Sequence, residues 1–402
     1  MKTQNSEFQA ATMPTYGRVD LSFVRGEGCY LITDDQRHFL DCASGIAVNT
    51  LGHCHPKLVE TLNRQARTLW HTSNLYRIPE QERLAYRLAQ ACSLDHVFFC
   101  NSGAEANEAS VKMARRFQYR QNKKEKSTIL CAGGAFHGRT LGMLSATANP
   151  DYREGFGPSV AGFEHVVFGN LNELRNAVNE LTAAIMIEPV QGEGGANAAP
   201  DGYLQGLRDA ADEYGALVIA DEVQTGMGRT GSFFAYQQSG IQPDIVALAK
   251  GLGGGIPVGA VVAKEDIGQA MGPGSHGSTF GGNPLAMAVA NAVFDVLEED
   301  GFMQSVQKIS AYLEARLTKI AGNYPEFINE IKGLGLLRGI GLNECLPAPE
   351  LSAMLRRKLV LTVPAGLNTL RILPPLIITY PEVDILCNAL NACLSEVSTQ
   401  NN

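Results

Sequence analysis

Four short segments carry residue types that could do chemistry together. In Ala216-Leu-Val-Ile-Ala-Asp221-Glu-Val-Gln224, an apolar strand pattern ends in a carboxylate. Burying that carboxylate costs several kcal/mol unless a cation or strong donor meets it. Further on, Asp244-Ile-Val-Ala-Leu-Ala-Lys250 delivers one lysine into the glycine-rich turn Gly251–Gly255. A lysine so placed is either a snorkelling surface charge or an amine held ready to form a Schiff base. In Phe98-Phe-Cys-Asn-Ser102-Gly103-Ala104, a strand runs into a turn that opens an alanine-rich helix. The free N–H groups there, with the hydroxyl, suit a phosphate, although Asn-Ser before a helix is also an ordinary N-cap. Finally, Ala135-Phe136-His137-Gly138-Arg139 offers an aromatic face beside a guanidinium able to clamp a carboxylate.

Taken together, these are a phosphate cradle, a flat aromatic, a buried aspartate and a strand-end lysine. That set matches pyridoxal phosphate (PLP), whose aldehyde bonds a lysine and whose protonated ring nitrogen pairs with a carboxylate.

The chain also resembles the class III (ω-) aminotransferases, from Arg25-Gly-Glu-Gly28 through Pro374-Pro375-Leu376. The resemblance is carried by Ser44-Gly-Ile-Ala-Val-Asn49, Leu51-Gly-His-Cys-His-Pro56, Trp70-His-Thr-Ser-Asn-Leu-Tyr76 and Phe98–Asn107. To these are added Ala135-Phe-His-Gly-Arg-Thr140, Ile187-Glu-Pro-Val-Gln-Gly-Glu-Gly194, Asp221–Gly226 and Gly277-Ser-Thr-Phe-Gly-Gly-Asn-Pro284. It implies PLP fold type I, an α/β fold with a mostly parallel central sheet in a large domain and a smaller α+β domain. It also implies a homodimer with one PLP per subunit, bound as a Schiff base to Lys250.

The roles implied by the resemblance are specific. Asp221 would pair with the ring nitrogen, Gln224 with the ring oxygen, and Phe136 would stack on the ring, with His137 and Val223 also at the cofactor. Ser102, Gly103 and Ala104 would hold the phosphate, joined by Thr279 from the partner subunit. Arg139 with Ser278 would bind the substrate carboxylate remote from the reacting amine. Arg371 would take the α-carboxylate of glutamate, with Glu193 neutralising it when an ω-amine substrate occupies the site. The likeness is strongest to members acting on N2-acetylornithine and 2-oxoglutarate in arginine metabolism. Siblings acting on succinylornithine, ornithine or 4-aminobutyrate are the alternatives.

Other motifs invite different readings. Gly226-Met-Gly228-Arg-Thr-Gly231 fits the GxGxxG dinucleotide pattern of a nicotinamide oxidoreductase. However, a carboxylate stands where pyrophosphate would approach, and no long apolar helix pattern follows. The Gly251–Gly255 run lacks the Gly-Lys-Ser/Thr of a P-loop. His53-Cys-His55 has no third metal ligand at suitable spacing and reads as a turn before Pro56. Glu188, at a strand end, is either functional or merely paired, and the resemblance favours a structural role near the cofactor pocket.

The elements that must position these residues alternate strand and helix. Strand patterns cover His96–Cys100, Thr128–Cys131, Ala183–Val190, Ala216–Asp221 and Asp244–Leu248, and helical patterns cover Glu105–Tyr119 and Tyr203–Tyr214. This alternation implies a parallel sheet with ligands at the carboxyl ends of its strands. Residues 1–60 read as an N-terminal arm and part of the small domain, 61–284 as the PLP-binding domain, and 285–402 as the C-terminal small domain. In the last of these, helical patterns at Leu285–Glu299 and Phe302–Ile320 precede strand pieces at Leu334–Leu342 and Arg371–Ile378.

Composition agrees with that class. The chain has 402 residues, 45% hydrophobic and 18% charged, so it can bury a large core. A net charge of −8 argues against nucleic acid or an anionic membrane surface as partner. Nine scattered cysteines, none spaced CxxC, suit free thiols in a reducing cytoplasm. The polar Met1–Thr12 segment shows no secretory signal, and no apolar run reaches membrane-spanning length.

Overall fold

The computed structural model describes residues 11–401; the reading of Met1–Thr12 falls largely outside them. Its centre is a seven-stranded sheet built from β1 (His96–Cys100), β2 (Thr128–Ala132), β3 (Phe163–Val166), β4 (Thr182–Ile187), β5 (Leu217–Asp221), β6 (Ile245–Leu248) and β7 (Gly259–Ala263). The spatial order is β1-β7-β6-β5-β4-β2-β3. Strand β7 runs antiparallel to both its neighbours, while every other pair is parallel. Consequently β1, β2, β4, β5 and β6 all end at one edge of the sheet, and the segment entering β7 begins there.

The central strands β4 to β7 are buried at every position, whereas the edge strands β1 and β3 are partly exposed. Alternation of side chains sorts these apolar runs onto two faces. Ile129, Met186, Ile219, Ala247 and Val261 pack under the Gly103–Arg120 helix through Ala106, Ala109 and Met113. Leu130, Ile185, Val218, Val246 and Val262 meet the helices Pro79–Cys92, Tyr203–Tyr214 and Pro284–Leu297 on the other face.

The apolar run around 183–190 divides in two. Strand β4 stops at Ile187, because Pro189 has no N–H to donate, and Val190–Gln191 forms a separate short hairpin with Asn197–Ala198. Proline shortens another expected strand: of Arg371–Ile378 only Arg371 and Ile372, the end of the strand Thr369–Ile372, are extended before Pro374-Pro375.

The C-terminal part carries an antiparallel sheet in the order Ile328–Leu334, Leu337–Leu342, Thr369–Ile372, Val363–Ala365. Arg371 stands on an inner strand of that sheet, opposite Gly339 on one side and Val363 on the other. The early strands Arg25–Glu27, Tyr30–Ile32 and His38–Asp41 pair in series, and the last runs parallel to Val360–Leu361. Among the described residues, no helix is long and apolar enough to cross a membrane.

Candidate active site

The shared carboxyl edge of the sheet opens onto a cavity of about 470 Å³. Asn101–Ala104 reach it from the end of β1, Phe136–Arg139 from beyond β2, and Glu188 from β4. Asp221, Val223 and Gln224 come from β5, and Ala249-Lys250 from β6. Gly255–Val258, the segment leading into β7, with Val48 and Asn107, complete the lining.

The floor is a buried polar network around Asp221. Its Oδ2 accepts hydrogen bonds from Asn107 Nδ2 and His137 Nδ1, both at 2.7 Å, and its Oδ1 accepts from the Val223 N–H at 3.0 Å. Asn107 Nδ2 also donates to the His137 carbonyl at 2.8 Å. Burial by itself lowers the basicity of His137, but the Asp221 carboxylate reverses this and leaves the imidazole above its usual range. Asn107 was not singled out from sequence. The signal for it is an asparagine on the buried face of an otherwise small and apolar helix, beside Ala106, Ala109 and Val111.

Ser102 is the N-cap of the Gly103–Arg120 helix, its hydroxyl accepting from the Glu105 N–H at 3.2 Å. The Glu105 carboxylate in turn takes the Asn101 N–H at 2.7 Å. The turn is an N-cap, and its first free amides also lie at the cavity, where a helix end favours an anion. Gly103 is required for packing, because a Cβ there would come within 2.6 Å of Val223 Cγ1.

Lys250 follows β6 directly and adopts φ of +42°, a left-handed conformation costly for a side chain with a Cβ. Burial pushes its amine below the usual lysine range. Glu193 opposes that shift and Arg371 reinforces it.

Glu188 accepts the Phe136 N–H at 2.8 Å and the Gly192 N–H at 3.1 Å, so one carboxyl joins two loops of the site. Burial pushes it up to about 7. Glu222, also buried, is likewise pushed up to about 7 while accepting from Thr225 and the Tyr236 N–H.

Glu193 and Arg371 form an ion pair at 2.7 Å, and the same Nη1 of Arg371 donates to Gln224 Oε1 at 2.8 Å. Burial raises Glu193, but Arg371 more than offsets this and holds the carboxyl below its usual range. The pair sits behind the cavity wall and touches it through Gln224. Arg139 stands at the cavity, exposed, with its guanidinium 3.7 Å from the centre of the Tyr152 ring and 5.5 Å from that of Phe136.

Besides Glu193 and Arg371, two more expected residues lie outside this cavity. Ser278 lines a neighbouring cleft, where its hydroxyl accepts from Asn101 at 3.3 Å and from the Gly281 N–H at 2.9 Å. Thr279 is exposed on the same loop.

The glycine loop Gly226–Gly231 does not open a helix. The side chain of Arg229, its fourth residue, is buried and donates to the carbonyls of Leu336, at 3.1 Å, and Pro374, tying the loop to the C-terminal part. His53 Nε2 donates to Asp41 Oδ2 at 2.8 Å. That aspartate caps the turn Ser44–Ala47, in which four successive residues have positive φ.

A family model described as aminotransferase class-III matches residues 12–394. The chain belongs to the class-III aminotransferases. Among relatives of this aminotransferase, acetylornithine aminotransferase 1 of Bradyrhizobium diazoefficiens is 48% identical over 387 residues, covering 96% of this chain and 95% of the relative. Acetylornithine aminotransferase of Agrobacterium fabrum is 50% identical, with 94% of each chain covered. Among solved structures, N-acetylornithine aminotransferase from Stenotrophomonas maltophilia superposes with a TM-score of 0.84 at 35% identity, covering 96% of this chain and 98% of that one. An ornithine aminotransferase from Toxoplasma gondii, described with partial occupancy of PLP at its active site, gives 0.94 at 28% identity, covering 99% and 95%.

Proposed function

We propose that this class-III aminotransferase transfers the δ-amino group of N2-acetylornithine to 2-oxoglutarate, giving N-acetylglutamate 5-semialdehyde and glutamate in arginine metabolism. The observation that carries this reading is one cavity holding Lys250 and the Asp221 network, with Arg139 at its mouth and Arg371 behind its wall. The names of the relatives support the choice of substrate.

PLP is the cofactor of the family, and the residues present fit it. Asp221 is fixed by three donors on the floor, where a protonated ring nitrogen would meet it. The Gly103–Arg120 helix presents its free amides to a phosphate, Phe136 stands beside the cavity for stacking, and Lys250 supplies an amine for the aldehyde. When bound, PLP supplies an electron sink that lets an amine-bearing carbon lose its proton.

The chain's own groups do the remaining work. Burial makes Lys250 Nζ easier to deprotonate than a surface lysine, so it can take a proton from the amine-bearing carbon of the substrate and hand it on. Arg139 orients the remote carboxylate. With the Glu193–Arg371 pair closed, the wall presents no uncompensated cation to an ω-amine. Glutamate competes for Arg371 with its α-carboxylate and displaces Glu193, so one cavity serves two unlike donors in alternating half-reactions.

We infer a cytoplasmic homodimer. Leu75, Tyr76, Trp70 and Phe280 expose large apolar surfaces around the Ser278-Thr279 loop, and His71 packs on Phe280 at 5.4 Å. Burial of that patch against a second copy would carry Thr279 toward the partner's phosphate site.

The test is a half-reaction screen on the yellow protein with acetylornithine, succinylornithine, ornithine and 4-aminobutyrate. Acetylornithine should bleach the cofactor absorbance fastest. A wide margin for ornithine or 4-aminobutyrate would overturn the substrate assignment.

A further inference from the structure

Arg139 is an exposed arginine at the cavity mouth, with no hydrogen bond or ion pair among the described residues. A free arginine of this kind samples many rotamers, and ordering it on each binding event weakens affinity. Here, however, the side chain is already held. Tyr152 closes the one-turn helix Pro150–Tyr152 and places its ring centre 3.7 Å from the guanidinium carbon, while Phe136 approaches at 5.5 Å. The two rings meet edge to face, 6.0 Å apart at 90°. Phe136 and Arg139 line the cavity and Tyr152 does not, so the tyrosine ring backs the guanidinium from outside. Stacking occupies the face of the guanidinium and leaves its in-plane N–H donors free for a carboxylate.

We propose that Tyr152 is a positioning residue for substrate selection: its ring fixes the plane of the Arg139 guanidinium so that the fork stands ready for the carboxylate at the non-reacting end of the substrate. This rests on the reading of Arg139 as the group that takes that carboxylate.

The test uses the PLP-loaded enzyme and the variants Tyr152→Leu, Tyr152→Phe and Arg139→Gln. Three quantities are measured: the Kd of glutarate, an unreactive dicarboxylate, by calorimetry; kcat and KM for acetylornithine; and the half-reaction rate with n-pentylamine, an amine with no carboxylate. Tyr152→Leu should raise the glutarate Kd and the acetylornithine KM about two- to five-fold, the effect of losing one exposed cation–π stack. It should leave kcat, the cofactor absorbance and the pentylamine rate unchanged, and Tyr152→Phe, which keeps the ring, should behave like the parent. If Arg139→Gln weakens glutarate binding and Tyr152→Leu does not, the role of Tyr152 is wrong and that of Arg139 stands. If Arg139→Gln has no effect on glutarate or acetylornithine, the underlying reading of Arg139 falls. A change in absorbance or in the pentylamine rate with Tyr152→Leu would also overturn the proposal, since the ring would then act through Phe136 and the cofactor.

Discussion

At the floor of the cavity Asp221 is buried and met by three donors, whereas at its mouth Arg139 is exposed and held only by aromatic faces. The floor is specified by directional bonds in a low-dielectric setting, where losing one partner strands another. The mouth is specified by stacking, which is weaker, tolerates small shifts and leaves the charged edge free. A site that meets one constant cofactor and more than one substrate is well served by this division: a base fixed by directional bonds, and a rim held by stacking that leaves its charged edge free.

The comparison can be broken at four strengths. The largest effect belongs to Lys250. Lys250→Ala should lower turnover by about 10³-fold or more, and borohydride should no longer fix cofactor to the chain. Full turnover with trappable cofactor would end the scheme. Next, Asp221→Ala leaves His137 buried without its counter-charge, so urea unfolding of the cofactor-free chain should show a loss of about 3–5 kcal/mol. Arg139→Ala at the rim should stay within about 0.5 kcal/mol of the parent in the same assay. Equal losses would erase the distinction between floor and mouth.

A smaller effect falls between them, at Arg371. Glu193→Gln weakens the cover on that guanidinium, and the ratio of half-reaction rates should shift about tenfold toward glutamate, the size of one hydrogen bond to a charged group. A ratio that stays put would mean Glu193 does not gate Arg371.

The smallest effect is a pH slope. Glu188 is held at about 7 by burial, against 4.5 for an exposed glutamate. The folded chain keeps a proton that the unfolded chain has released, so stability falls as pH rises from about 4.5 to about 7. Glu188→Gln should remove about one proton from this linkage and flatten the dependence of Tm on pH in that window, leaving the share carried by Glu222. An unchanged slope would show that Glu188 is not the group that titrates there.

Asp221, Lys250 and the Ser102-Gly103 turn were legible because each stands where an apolar run stops, and a buried strand must release its chain at a polar residue. The Glu193–Arg371 pair came through resemblance, and its contact with Gln224 only from the fold; residues so far apart share no local pattern. Asn107 and Tyr152 went unread for a similar reason. One is an amide inside a small-residue helix, and the other meets Arg139 only after the chain has turned back on itself. Strand β7 has the composition of any buried strand, and nothing in Gly-Ala-Val-Val-Ala announces that it runs against its neighbours. Proline decided the two misplaced boundaries, at Pro189 and at Pro374-Pro375.

That reversed strand sets which parts of the chain can be altered freely. Because β7 returns from β6 without a crossover, the link between them, residues 249–258, carries both Lys250 and a wall of the cavity. Each parallel strand, by contrast, is entered from the far edge of the sheet after a long crossover. Length added at that far edge, such as an inserted tag or a surface loop grafted from elsewhere, is absorbed without reaching the site. Length added between Lys250 and Gly259 falls in the wall of the cavity, so among the described residues this hairpin is the connection of the sheet with least slack.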